Sequence, residues 1–206
     1  MENILQLLLA AIIGYSLGSV SFATIISRKV KGIDIRKYKS GTAGTLNVWR
    51  LLGPKYGILV ACLDISKGVI AAAIGYKIAG EAGQMTAGCL SIIGHIFPIW
   101  FQFRGGKALA TSFGLYVFIA PIVTIPLILL WLALYSILRH SARVSLITFC
   151  CVPIVGWIFH LPRQKILFLG IIGLIVALKH IPDLNRPRKQ WRPQPSGKPE
   201  RSTPYY

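Results

Sequence analysis

Between Lys107 and Arg139 stands ALATSFGLYVFIAPIVTIPLILLWLALYSIL, residues 108–138, with no charged residue in it. A helix rises about 1.5 Å per residue and the hydrocarbon layer of a bilayer is about 30 Å thick, so roughly 20 residues cross it. The run is too long for one crossing and short for two. Pro121 and Pro126 interrupt it, and a proline inside a helix removes one hydrogen bond and clashes with the preceding turn. The Ala120-Pro121 step is therefore expected to divide the run into a short helix and a full one. This decides direction as well as number. A single helix would separate Arg104 and Lys107 from Arg139 and Arg143, whereas a hairpin returns both pairs to one side.

Further apolar runs lie at residues 4–27, 56–79, 82–103, 145–159 and 166–178. Basic residues fill the gaps: eight Lys/Arg in residues 28–55 and seven from Lys179 onward. Cytoplasmic loops of membrane proteins carry such an excess. If the first basic loop is cytoplasmic, the N-terminus is outside, and seven spans bring every basic loop inside except the turn with Arg163 and Lys165. Those two are expected to snorkel. Six spans break the rule. The expected fold is all-α: a polytopic integral membrane protein of seven transmembrane helices, one of them short, with its polar site at the cytoplasmic face.

Composition agrees. Hydrophobic residues make up 54% and charged residues 14% of the 206, against about 25% charged in ordinary globular proteins. Lys+Arg number 23 and Asp+Glu 6, a net charge of +17. Such basicity usually suggests nucleic acid, but charged membrane loops already account for it, so no nucleic-acid partner is expected. The bilayer is. Cys62, Cys89, Cys150 and Cys151 lie inside apolar runs and read as small lipophilic fillers. Glu2 in place of a basic start argues against a cleaved signal peptide. Two parts are expected: a membrane domain over residues 1–181, and a basic, Pro-rich cytoplasmic tail over residues 182–206 that is disordered.

Four stretches on the cytoplasmic side hold more than a connector requires. The first is Ser40-Gly41-Thr42-Ala43-Gly44-Thr45-Leu46-Asn47, followed by Arg50. Its small residues and donors suit an anion such as phosphate, and suit a flexible linker equally. The second runs from Gly94-His95 through Phe97-Pro98 to Phe103-Arg104-Gly105-Gly106-Lys107. Two glycines and a lysine opening a helix suggest a phosphate cradle, although as an isolated signal they also fit an ordinary turn. His95 reads more readily as a structural hydrogen-bonding residue than as a catalyst. The third holds Ser145 at an expected helix entry, with Thr148 one turn on. The fourth holds His180, Asp183 and Arg186. Within the second run, Asp64 and Lys67 stand at i, i+3 and are expected to form an ion pair, structural rather than a proton relay.

Together these motifs resemble the bacterial acyl-phosphate:glycerol-3-phosphate acyltransferases, the PlsY family. The match runs from about Gly14 to Arg186. The first motif is met at Ser40, Gly41, Gly44, Asn47 and Arg50, with Thr42 where the family usually has Asn and Leu46 where it has Thr. The long second motif is met from Gly94 to Lys107, with Arg104 for the commoner Lys. Leu63-Asp64, Lys67 and Gly68 match a further stretch, and Val144-Ser145-Leu146 matches the third motif. His180 and Arg186 match the last, but Asp183 stands at the usual Asn position.

The resemblance implies an enzyme of phospholipid synthesis in the bacterial inner membrane. It moves an acyl chain from acyl phosphate to the 1-hydroxyl of glycerol 3-phosphate, giving lysophosphatidic acid and phosphate, with no metal or other cofactor. Functional coupling to the enzyme that makes acyl phosphate is compatible with this. Catalytic roles are expected of Ser40, Lys107, Ser145 and His180. Substrate binding is expected of Gly41, Gly44, Asn47, Arg50, His95, Gly105, Gly106, Thr148, Asp183 and Arg186. Acyl phosphate is already activated, so direct attack by the acceptor hydroxyl suffices, with either His180 or a substrate phosphate taking the proton. Alternatives are a divergent paralogue acylating another phosphorylated acceptor, or a small anion transporter. The transporter reading lacks an internal repeat and midplane polar breaks.

Overall fold

The computed structural model describes residues 2–185, and these are helical with short connections. In chain order the helices are α1 (Glu2–Gly18), α2 (Phe22–Lys31), α3 (Thr45–Leu52), α4 (Pro54–Ile96), α5 (Leu109–Ile119), α6 (Pro121–Leu138), α7 (Ser141–Cys150), α8 (Val152–Ile158) and α9 (Arg163–His180), with 3₁₀ turns at Ile35–Lys37, Ile99–Phe101 and Ile181–Asp183. The polarity is inverted relative to a water-soluble protein. Ile137 and Trp157 are each 75% exposed, while Ser91, Thr111, Ser112, Thr124, Ser145 and Thr148 are fully buried. Apolar side chains face outward because the surrounding solvent is lipid.

Among the described residues, four helical stretches are long and apolar enough to cross a membrane: Asn3–Lys31, Pro54–Phe101, Pro121–Leu138 and Arg163–Asp183. The pair Ser141–Cys150 and Val152–Ile158, bent by 40°, makes a fifth if taken as one span. This count of four to five differs from the expected seven for two reasons. The helix α4 is one unit by hydrogen bonding yet breaks at Ala79 and Gly80, where the backbone leaves helical geometry. Gly75 and Gly83 face each other so closely that a Cβ on either would lie 2.2 Å from the other's carbonyl oxygen, so α4 folds back on itself. And α5 has 11 residues, about 16 Å of helix, half the hydrocarbon thickness. The division before Pro121 falls where the proline predicts. The first apolar run departs from expectation: it is two helices, interrupted at residues 19–21.

Small residues set the packing. Added Cβ atoms on Gly14 and Gly18 would meet the backbones of Ala87 and Ser91, and one on Gly94 would meet Tyr15 and Ser19. The register rises together along both chains, so α1 runs parallel to the second half of α4. Without a hydrophobic drive inside lipid, such close backbone approach is what joins helices. Gly18→Ala would place a methyl carbon 2.0 Å from the Ser91 carbonyl oxygen. Rigid backbone cannot yield as a side chain tip does, so it should destabilise by about 1–3 kcal/mol or more. Gly170→Ala meets only the Pro153 ring at 3.6 Å and should melt like the parent in detergent.

The antiparallel pair α7/α8 and α9 follows the same rule. Added Cβ atoms on Gly173, Gly170 and Gly156 would meet Phe149, Pro153 and Ile166. This register sets the start of α7 beside the end of α9. At the far end of the bundle, Lys165 pairs with Glu81 at 2.9 Å, next to the break in α4. Lys165 was expected to snorkel; it has a carboxylate partner instead.

Candidate active site

The loop after α2 is held by two side chains. The Arg36 guanidinium grips the Asp34 carboxylate through Nε at 2.9 Å and Nη2 at 2.6 Å. Its Nη1 reaches across to the carbonyl of Phe101. The Arg36 hydrogen bond holds the Asp34 carboxyl well below the usual carboxylate range. The sign follows from linkage: with its folded value lowered, Asp34 contributes stability above the unfolded value near about 3.9, and that contribution disappears as pH falls through the folded value. Asp34 and Arg36 were not singled out in the sequence, although their i, i+2 spacing and the Asp N-cap were available signals.

Asn47 was expected to bind substrate; the Nδ2 end of its amide is committed to the chain. The Nδ2 group lies 3.1, 3.0 and 2.9 Å from the carbonyls of Ile35, Tyr38 and Thr42. It ties the loop to the buried face of α3. Asn47→Ala would leave buried carbonyls unpaired and should cost about 1–3 kcal/mol in thermal unfolding, whatever its effect on turnover.

The glycine-cradle reading also requires correction. The amide of Gly41, where φ is +69°, donates to Tyr38 O, and that of Gly44 donates to Thr42 O. Gly105 N–H donates to Ile96 O and Gly106 N–H to His95 O. All four amides serve the main chain. Gly105 and Gly106 are small because the turn lies on the end of α4. A Cβ on Gly105 would sit 2.0 Å from His95 O, and one on Gly106 2.3 Å from His95 Nε2 and 2.6 Å from Ala43 O. With Ala43 N–H donating to Gly105 O, this contact locks the two loops together.

His95 lies beneath that contact, buried. Its Nδ1 is 3.1 Å from Thr111 Oγ1 and 3.6 Å from Asp64 Oδ1. Asp64 in turn pairs with Lys67 Nζ at 2.8 Å, as expected, and Lys67 donates to Val20 O at 3.0 Å. His95 thus supports the turn from below, the structural alternative to the substrate contact expected of it.

Lys107 emerges from this platform. Its Nζ forms an ion pair with Asp183 on the final 3₁₀ turn, 76 residues away. No carboxylate stands near Lys107 in sequence; the fold brings this one from the far end of the chain. His180, one turn before, is buried and its Nδ1 lies 2.8 Å from Val176 O. A carbonyl only accepts, so Nδ1 carries the hydrogen and Nε2 keeps a lone pair. Ser145 sits within α7 rather than at its entry; the helix starts at Ser141 with His140 as N-cap. Ser145 Oγ accepts a bond from Trp131 Nε1 at 3.1 Å, and the buried Thr148 Oγ1 has no hydrogen-bond partner among the described residues. The α7/α9 register sets Ser145 level with Ala177, one turn before His180. Ser40 Oγ is 3.0 Å from Thr42 Oγ1. Arg50 lies half-buried in the last turn of α3. Arg186 and the rest of the expected tail lie outside the described residues, while Pro182 to Asn185 belong to the folded part.

A family model described as glycerol-3-phosphate acyltransferase matches residues 8–190. The chain belongs to the glycerol-3-phosphate acyltransferase family. It is 36% identical over 184 residues to the glycerol-3-phosphate acyltransferase of Carboxydothermus hydrogenoformans, covering 89% of this chain and 93% of the relative. It is 34% identical to that of Aquifex aeolicus, covering 88% and 95%. Among solved structures, it matches the integral membrane glycerol 3-phosphate acyltransferase PlsY in its glycerol 3-phosphate form, with a TM-score of 0.81, 34% identity, and 87% and 90% of the two chains covered. The lysophosphatidic acid form matches with a TM-score of 0.79. The chain is thus an all-helical integral membrane acyltransferase of phospholipid synthesis, and the cluster around Lys107 is its candidate active site.

Proposed function

We propose that this acyltransferase takes its acyl chain from acyl phosphate and delivers it to the 1-hydroxyl of glycerol 3-phosphate, releasing lysophosphatidic acid and phosphate. The observation that carries this reading is the Lys107 ammonium, mounted on a turn that two loops and the α4 terminus hold rigid. Both substrates carry phosphoryl groups, which a fixed ammonium and an arginine fork can orient. With the glycine amides committed, side chains do this work: Lys107 and Arg50 on phosphoryl oxygens, Ser40 and Ser145 as hydrogen-bond donors.

The acceptor hydroxyl attacks the acyl carbonyl carbon, the C–O bond to phosphate breaks, and phosphate leaves with the bonding pair. The hydroxyl proton passes to His180 Nε2, the ring nitrogen that the Val176 contact does not use. Lys107 stabilises the charge gathering on the leaving phosphate. Purified protein given acyl phosphate and glycerol 3-phosphate should release phosphate and lysophosphatidic acid in equal amounts. Acyl coenzyme A should give no comparable turnover; equal rates with both donors would contradict the donor assignment.

Seven passes belong to the same proposal: α1 with α2, the two halves of α4, the short α5, α6, α7 with α8, and α9. The N-terminus is outside and the site cytoplasmic. The basic loop at residues 28–55 supports this, as does the Glu81–Lys165 pair at the opposite end. A cysteine introduced at Arg139 should react with an impermeant thiol reagent only after the membrane is opened, in a background lacking the four native cysteines. Labelling in intact cells would overturn the orientation.

A further inference from the structure

The Lys107 ammonium meets a carboxylate of its own chain. The Lys107 side chain is 16% exposed and that of Asp183 4%, so little water screens the pair. At low local dielectric an ammonium and a carboxylate attract strongly, and a second anion brought to the same cation meets repulsion from the first. Asp183 is carried on the Ile181–Asp183 turn that closes α9.

We propose that Asp183 is a specificity-determining residue whose carboxylate holds the anion position on Lys107, so that a phosphoryl group binds only against its competition. This rests on the assignment of Lys107 as a phosphate contact. The consequence is a site that holds phosphoryl groups loosely, and inorganic phosphate most loosely of all, because it lacks the acyl chain or glycerol contacts that add to the affinity of the true substrates. Release of the phosphate product is thereby eased, and inhibition by it is weak. A neutral amide at the same position would keep the shape, remove the competing charge and offer an N–H to the phosphate.

The test compares the full-length protein with Asp183→Asn in detergent or nanodiscs, using inorganic phosphate as the probe in isothermal titration calorimetry. Asp183→Asn should bind phosphate at least tenfold more tightly, and Asp183→Glu, which keeps the charge, should remain within a few-fold of the parent. Should Asp183→Asn fold poorly by thermal unfolding, Asp183→Ser removes the charge with a smaller side chain and should show the same tightening. Unchanged or weaker phosphate binding in the folded neutral variants would overturn the proposal. Lys107→Ala provides the separate check: phosphate affinity that survives its loss would show that phosphate is held elsewhere, which removes the Lys107 assignment itself. Turnover with acyl phosphate is assayed apart from binding, so an inactive parent whose phosphate affinity rises in Asp183→Asn would reject the donor reading and leave the role of Asp183 intact.

Discussion

Lys107→Ala should lose roughly 30- to 1000-fold in acyl transfer, which corresponds to about 2–4 kcal/mol of transition-state stabilisation from one charge-assisted contact. The loss should fall mainly on kcat, because the charge on the leaving phosphate grows as the bond breaks. The substitution also removes the ammonium that faces the buried Asp183 carboxylate, so some loss of stability is expected with it. Lys107→Ala combined with Asp183→Asn removes both charges of the pair. It should recover the melting temperature and stay inactive. Lys165→Ala serves as the control, since its partner Glu81 is 61% exposed and the pair lies at the other end of the bundle. Such a pair contributes little, and activity should match the parent. A folded Lys107→Ala enzyme that kept most of its activity would return the Gly-Gly-Lys turn to the status of a connector. Arg50→Ala should show a loss of similar size if Arg50 shares the phosphoryl contact.

Asp64→Ala is expected to be the most destabilising single change outside the site. It leaves the Lys67 ammonium, 4% exposed, facing the Val20 carbonyl and the ring of Phe22 with no carboxylate beside it among the described residues. Removing one partner of a buried pair typically costs about 3–5 kcal/mol. Asp64 also lies beside His95, on which the Gly105-Gly106 turn rests, so activity should fall together with thermal stability. The double variant Asp64→Leu with Lys67→Met removes both charges and should be markedly less destabilised than Asp64→Ala. The two melting curves decide the matter. If Asp64→Ala melts with the parent, the pair is not the buried element it is taken for.

Much of the architecture could be read along the chain because it depends on local order. Apolar run lengths, the Pro121 interruption and the i, i+3 placement of Asp64 and Lys67 are properties of neighbouring residues, and helix geometry converts them directly into structure. The break at Ala79-Gly80 falls in the gap left between two runs for the same reason. The family was legible as well, since a motif as long as Gly94 to Lys107 is specific without coordinates. What each motif residue touches was not legible. Gly105 and Gly106 looked like a cradle for a ligand, yet their missing side chains make room for His95, and their amides cap the end of α4. Asn47 looked like a ligand contact and is a brace for three carbonyls. The carboxylate that Lys107 meets lies 76 residues further on, out of reach of any local pattern. These outcomes turn on contacts between segments distant in sequence, made when α9 returns beside α7 and the two loops meet over α4. The chain's order of residues determined which helices form and which side chains carry charge. Only the packing of those helices decided which polar groups are consumed in holding the fold and which charge the Lys107 ammonium faces.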